Sequence, residues 1–211
     1  TPVLTITSAN TLNVNSSLTA TVTTTATLGR GGAFTYAITA GSGSATVNAS
    51  TGLITGISIG TVTLTVTSAG DTNYNVATAS QLITIGKTTP VLTITSANTI
   101  SVDGTLTATV TTTATLGRGG AITYAIVGGS GSATVNASTG LITGISIGTV
   151  TLTATSAGDT NYNVATTSQL ITIGKTTPVL TITSANTINV DGMLTATVTT
   201  TATLGRGGAI T

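Results

Sequence analysis

The feature that most constrains the fold of this chain is an internal repeat. The string TPVLTITSANT begins at Thr1, Thr89 and Thr177, so the starts of successive copies lie 88 residues apart. A period of this length is too long for one turn of a solenoid and fits one small autonomous domain. The sequence therefore predicts one domain at 1–88, a second at 89–176, and the first strands of a third at 177–211.

Within each repeat, apolar residues alternate with threonine, which is typical of strands with one buried face. Val62, Leu64 and Val66, for example, face away from the threonines between them. Strands are predicted at 4–7, 18–23, 34–38, 61–67 and 81–85. Gly-rich turn signals separate them about every ten residues. Six or seven short strands of this kind predict an all-β fold of tandem immunoglobulin-like Greek-key β-sandwiches.

The composition supports an all-β chain and excludes several kinds of partner. Charged residues make up 4% of the sequence and hydrophobic residues 39%, against about 25% charged in an average soluble domain. A net charge of +1 provides no field to attract nucleic acid. No apolar run approaches the roughly 18 residues of a membrane helix. We therefore expect no nucleic-acid partner and no membrane insertion in this segment.

The residues that usually perform catalysis are missing. The sequence contains no His, Cys or Glu, which removes the usual general bases and the groups that activate nucleophiles. Its four acidic residues are single Asp residues in turn contexts, and VDG at 102–104 and 190–192 is a hairpin signal. We predict that the protein is not an enzyme and holds no cofactor.

Two stretches go beyond a generic β pattern. ATVNASTGLITGI at 133–145, followed by GTVTLTATSAGD at 148–159, resembles bacterial immunoglobulin-like domains of the group 2 type, as in intimin- and invasin-like surface adhesins. Gly140 matches the family's turn glycine and Gly148 the glycine before its long core strand, while Tyr124 stands where the family usually has Trp. The resemblance covers both complete repeats and implies a surface stalk or adhesin in which a different, terminal domain usually binds the target.

The DTNYN loop is a weak candidate for a calcium site. Asp71, Asn73 and Asn75 stand at alternate positions, as do Asp159, Asn161 and Asn163 in the second repeat. Oxygen ligands at this spacing suit calcium, but the Gly and the bidentate Glu of an EF-hand loop are missing. The other interpretation is a loop with Asx turns, in which the tyrosine packs or hydrogen-bonds at the corner of the sandwich.

Two further loop features have open interpretations. Arg30 and Arg118 lie in GRGG segments, which are weak candidates for ligand-binding loops and otherwise simple connections between strands. Asn15-Ser16-Ser17 and Asn48-Ala49-Ser50 are formal N-glycosylation sequons, and the many Thr and Ser residues could accept O-linked sugars.

These observations favour a repetitive structural protein, a stalk or filament, at the bacterial cell surface or outside the cell. The alternative is a module that binds carbohydrate or a host protein through its interstrand loops. The low charge predicts association with copies of itself, lateral or end to end. The chain has no starting Met, so it is expected to be a mature segment or a window on a longer array. Alternatively, another chain completes 177–211 by strand exchange, because Leu180, Ile182, Leu194 and Val198 are expected to lie open.

Overall fold

The computed structural model of the chain describes residues 1–27, 31–115, 119–202 and 208. These residues contain strands and no helix, so the protein is all-β as predicted. Among the described residues there is also no helix with the length and apolar character needed to span a bilayer.

The described residues of the first repeat form nine strands. They are β1 (Leu4–Ile6), β2 (Thr11–Asn13), β3 (Ser17–Thr19), β4 (Val22–Thr24), β5 (Phe34–Ala40), β6 (Ser44–Val47), β7 (Leu53–Ser58), β8 (Gly60–Ser68) and β9 (Ala77–Gly86).

The second repeat, outside 116–118, has the corresponding strands, and the described part of the third copy has two. They are β10 (Leu92–Ile94), β11 (Thr99–Ser101), β12 (Thr105–Thr107), β13 (Val110–Thr112), β14 (Ile122–Val127), β15 (Ser132–Val135), β16 (Leu141–Ser146), β17 (Gly148–Ser156), β18 (Ala165–Gly174), β19 (Leu180–Ile182) and β20 (Val198–Thr200).

The strand order of each complete repeat is that of an immunoglobulin-like sandwich. One sheet of the first repeat has the order β2-β9-β8-β5, the other has the order β3-β7-β6, and β1 pairs with β4. Strands β9, β8 and β5 correspond to strands G, F and C of immunoglobulin domains. Strands β3, β7 and β6 correspond to strands B, E and D. Within the described part of repeat 1, the paired strands are antiparallel except β2 and β9, which run parallel. The second repeat has the same order.

The chain divides into two compact units that do not follow the repeat boundaries. The first consists of Thr1–Thr95, Thr109–Tyr124 and Thr153–Ser168, and the second of Ser96–Ala108, Ala125–Leu152 and Gln169–Thr211. The first unit thus contains all of repeat 1 together with three segments of repeat 2, namely 89–95, 109–124 and 153–168. The domain boundaries predicted from the repeat stay a prediction.

The core of the first repeat lies between its two sheets. Val62, Leu64 and Val66 of β8 are fully buried, as are Ile83 of β9 and Ile54 of β7. Since β7 belongs to the other sheet and all five side chains form one cluster, the two sheets pack face to face. The alternation of apolar residues with threonine therefore predicted the buried face correctly.

Three details of the sequence-based assignment were wrong. The strand predicted at 18–23 is two strands, because β3 pairs with β7 whereas β4 pairs with β1. The last strand begins at Ala77 and not at residue 81. The VDG segment at 102–104 is a turn but not a hairpin, since β11 and β12 belong to different sheets. Asp103, with φ +62°, lies in the left-handed region in this turn.

Gly148 occupies a position that only glycine can take without strain. Its φ is +129°, and a Cβ added there would lie 2.4 Å from the backbone nitrogen of Gly131. The glycine that resembles the one before the family's core strand therefore allows two backbone segments to approach each other directly.

The third copy retains the first strand pair of a repeat. Leu180 pairs with Thr200 across β19 and β20, as Leu4 pairs with Thr24 in the first repeat. Leu180, Ile182 and Leu194 are 56%, 73% and 45% exposed, as expected, whereas Val198 is half-buried.

A matched pair of leucine substitutions tests the assigned core. The double variant Leu64→Ala and Leu152→Ala removes two fully buried side chains, one in each repeat. We expect a loss of about 2–5 kcal/mol in the unfolding free energy of each repeat, measured by urea denaturation. The control is Leu82→Ala with Leu170→Ala, at positions 59% and 57% exposed. A control loss above about 0.5 kcal/mol per repeat would contradict the assignment of these leucines to the outer face.

Candidate functional site at the repeat junction

Residues 159–163, here called the junction loop, are held in place by one carboxylate. Oδ1 of Asp159 accepts hydrogen bonds from the backbone nitrogens of Asn161 at 2.7 Å and Tyr162 at 2.9 Å. Oδ2 accepts from the backbone nitrogen of Gly119 at 2.8 Å. The carboxylate therefore forms an Asx turn and ties the loop to the segment before β14. Asp71 makes the same three bonds in the first repeat.

The junction loop pairs with the short segment that joins repeat 1 to repeat 2. The backbone nitrogen of Thr88 donates to the carbonyl of Asn161 at 3.1 Å, and the nitrogen of Asn163 donates to the carbonyl of Thr88 at 2.9 Å. Lys87 Nζ donates to the carbonyl of Asp159 at 2.8 Å. The join between repeats is thus fixed by backbone hydrogen bonds on both sides of one residue.

Tyr162 lies at the centre of the junction. Its side chain is 1% exposed and belongs, with Ala114, to the hydrophobic cluster that includes Val14 and the buried strands of repeat 1. Its hydroxyl accepts a hydrogen bond from Asn15 Nδ2 and lies 2.9 Å from Thr115 Oγ1. A tyrosine from repeat 2 therefore completes the core of repeat 1 while its hydroxyl remains hydrogen-bonded.

The equivalent tyrosine of the first repeat has a different environment. Tyr74 is half-buried, and its hydroxyl lies 3.2 Å from Thr27 Oγ1, the equivalent of Thr115. The hydrogen bond at the sandwich corner is therefore a property of each repeat. The ring of Tyr162 is completely buried because the neighbouring repeat also packs against it.

The junction also uses the buried Asn161. This residue is 9% exposed, and its Oδ1 accepts a hydrogen bond from the backbone nitrogen of Ile59 at 3.2 Å. Asn163 Nδ2 donates to Thr89 Oγ1 at 3.0 Å within its own repeat. The three polar residues suggested as calcium ligands in the second repeat therefore all take part in hydrogen bonds of the loop.

The structure thus places the six calcium candidates in two equivalent Asp-anchored loops. Both oxygens of Asp71 and of Asp159 accept from backbone amides, and Asn75 Nδ2 lies 3.5 Å from Thr1 Oγ1. Asn73 is exposed. Among the residues described, no three His, Cys, Asp or Glu side chains are grouped as a metal site would require. The calcium hypothesis stays a prediction, tested below.

The other loop features predicted from the sequence are the GRGG arginines and the two glycosylation sequons. Arg30 and Arg118 lie outside the described residues. Asn48 Oδ1 accepts from the backbone nitrogens of Ser50 and Thr51 in a turn. The Nδ2 of Asn15, the atom to which a sugar would be linked, donates to Tyr162 and to Thr115. Glycosylation of Asn15 and the junction geometry are therefore mutually exclusive.

Sequence reasoning missed the residues of repeat 1 that receive the loop, above all Asn15 and Thr88. Asn15 carried a sequence signal, because Asn between two strands favours a tight turn. The structure places it in such a turn, with φ +62°. Thr88 carried none, since its role depends on backbone atoms.

No protein-family model matches this chain, and no curated protein matches it. Among solved structures it is similar to the fibronectin(III)-like modules of CbhA from Clostridium thermocellum, with 12% identity over 82% of this chain and 95% of that chain and a TM-score of 0.31. It is also similar to immunoglobulin domains 1–5 of Sidekick-1, with 12% identity over 94% of this chain and 45% of that chain and a TM-score of 0.34. At such low scores these likenesses show neither a family nor a function.

The two tyrosines provide an internal comparison for the junction. Tyr162→Ala is expected to lower the unfolding free energy by about 3–5 kcal/mol, as for other large aromatic residues removed from a core. Tyr74→Ala, at a half-buried position in an identical loop, is expected to cost less. The measurement is denaturant unfolding of both variants under the same conditions. Equal losses would mean that the neighbouring repeat adds nothing to the burial of Tyr162.

Calcium titration tests the predicted metal site. Because the Asp159 carboxylate already accepts three amide hydrogen bonds, we expect millimolar Ca²⁺ to leave the melting temperature unchanged. A ligand that bound the folded state would raise it. Asp159→Asn serves as the control, since an amide at that position cannot accept all three bonds and should lower stability without calcium. A rise with Ca²⁺ that this variant abolishes would establish the calcium site.

Proposed function

We propose that this chain is part of a repetitive bacterial surface or extracellular structural protein, a stalk or filament of immunoglobulin-like domains of the group 2 type. The observation that carries the proposal is the burial of Tyr162 from repeat 2 in the hydrophobic cluster of repeat 1. A stalk needs successive domains that resist bending at their joins. A loop held by a core tyrosine and by backbone hydrogen bonds on both sides of Thr88 meets that need.

The composition supports the same role. The chain offers no His, Cys or Glu for catalysis and no strong charge for electrostatic capture of a partner. The absence of Cys removes the disulfides on which many small extracellular domains depend. Each repeat therefore has to obtain its stability from its own core and from its neighbours, as in other tandem arrays.

Spin labelling tests whether the joint is rigid. The chain has no Cys, so Ser50→Cys and Thr166→Cys, both at exposed positions, would carry the only two labels. We expect a narrow distribution of distances between the labels by pulsed electron resonance. We expect Tyr162→Ala to broaden it, because this change removes the side chain that packs across the join. A broad distribution in the parent chain would contradict a stalk built from rigid joins.

The location is tested separately, on the organism that makes the protein. Antibody against the repeat should label intact cells, and brief protease treatment of those cells should remove the label. Labelling seen only after the cells are opened would contradict a surface role. A cytoplasmic marker protein that stays intact during the protease treatment serves as the control.

A further inference from the structure

The turn between β6 and β7, and the equivalent turn between β15 and β16, present one asparagine in the same way. Asn48 and Asn136 are exposed, and each begins an Asn-Ala-Ser sequence. The Oδ1 of Asn48 accepts hydrogen bonds from the backbone nitrogens two and three residues later, both at 3.0 Å. Its backbone nitrogen donates to the carbonyl of Leu53, and its carbonyl accepts from the nitrogen of Gly52, each at 2.9 Å. Asn136 makes the same four bonds in the second repeat.

These bonds leave one polar atom of each asparagine free. To the residues that the structure describes, Nδ2 of Asn48 and Nδ2 of Asn136 make no hydrogen bond, whereas Oδ1, the backbone nitrogen and the carbonyl are all paired. Because Oδ1 is held by the amides of the turn, the planar carboxamide has a fixed orientation with Nδ2 on its other side. A group attached to Nδ2 would therefore break none of the hydrogen bonds that form the turn.

The remaining sequon of the chain, at Asn15, has the opposite environment. Its Nδ2 donates to the Tyr162 hydroxyl and to Thr115 Oγ1, so a substituent on that atom would displace the junction loop. The three sequons have the same Asn-x-Ser pattern, and the pattern alone treats them as equal acceptors. The structure separates them into two with a free Nδ2 and one whose Nδ2 is already used.

We propose that Asn48 and Asn136 each carry an N-linked sugar. The donor is an activated sugar whose anomeric carbon bears a phosphate or pyrophosphate group. The Nδ2–carbon bond forms as the bond from that carbon to the phosphate oxygen breaks, and the phosphate or pyrophosphate leaves with the electron pair. A base of the transferase takes one amide proton. Ser50 and Ser138 supply the hydroxyl that the acceptor sequence requires, and both residues are exposed.

A sugar at this turn would supply hydration that the side chains do not. Charged residues make up 4% of the sequence. Leu53 and its equivalent Leu141 follow the two turns directly and are each 45% exposed. N-linked sugars are bulky and solubilising, so each would stand beside an apolar side chain that the fold leaves uncovered. The inference goes beyond the stalk proposal, because it concerns a modification of each repeat and not the join between repeats.

The test is peptide mass spectrometry of the protein purified from the organism that makes it. Trypsin separates the three sequons into three peptides, because it cleaves after Arg30, Lys87, Arg118 and Lys175. We expect one sugar-bearing asparagine in 31–87 and one in 119–175, located by fragment masses at Asn48 and Asn136. The peptide that contains Asn15 is expected to be unmodified. The threonine-rich peptide 88–118 contains no sequon and is the control for sugars linked to hydroxyl groups.

Serine variants made in the same organism test whether the sequon directs the transfer. Ser50→Ala removes the hydroxyl but keeps the backbone nitrogen that bonds to Asn48 Oδ1. We expect the sugar to be lost from 31–87, while 119–175 of the same molecule stays modified. Ser17→Ala, which destroys the sequon at Asn15, is the matched control and should leave both sugars in place.

Three results would overturn the proposal. They are unmodified peptides 31–87 and 119–175, sugar located on Ser or Thr in place of Asn48 and Asn136, and modification of Asn15 to the same extent as the other two. Any of these leaves the stalk proposal untouched, because that proposal depends on the joins between repeats and is tested by the label distances.

Discussion

The side chain of Tyr162 is the contact on which the connection between the two complete repeats depends. It is buried in a hydrophobic cluster whose other members come almost entirely from repeat 1. It can enter that cluster because the Asp159 carboxylate fixes the turn of the loop and because Thr88 pairs with the loop backbone on both sides. These three contacts couple the two repeats physically. Such interfaces between neighbours give tandem arrays stability beyond that of each domain.

The sandwich around this junction is built with very little chemical variety. Threonine covers the outer faces, where its branched side chain suits the pleated strand and its hydroxyl finds partners across the sheet, as Thr65 does with Ser80 at 3.1 Å. Few charges are needed because amides, hydroxyls and single Asp residues satisfy the loops. Glycine is used where backbones must touch, as at Gly148. The low charge is therefore compatible with a specific fold, since specificity comes from strand pairing and packing.

The sequence was informative wherever local pattern decides the structure. Alternation with threonine identified Leu64 as core. The strand break near Ala20 was not predictable, because the alternation continues through it and the break arises when the two halves pair with different sheets. The junction was hidden for a related reason. Tyr74 and Tyr162 lie in identical local sequences, yet one is half-buried and the other 1% exposed. The difference comes from the neighbouring repeat, which no local pattern records.

Each repeat contains both a DTNYN loop and the surface that receives the loop of the next repeat, and this arrangement restricts how the gene can change in length. Each repeat carries both a DTNYN loop and the turn and join that receive the next loop, all within 88 residues. Unequal recombination that adds or removes one whole repeat would keep every DTNYN loop packed against the repeat before it. An insertion of any other length would separate a loop from the turn and join that receive it and would expose the core residues that the loop covers. Selection on protein stability alone would then restrict length variation to whole repeats and would favour copies similar enough to fit any neighbour.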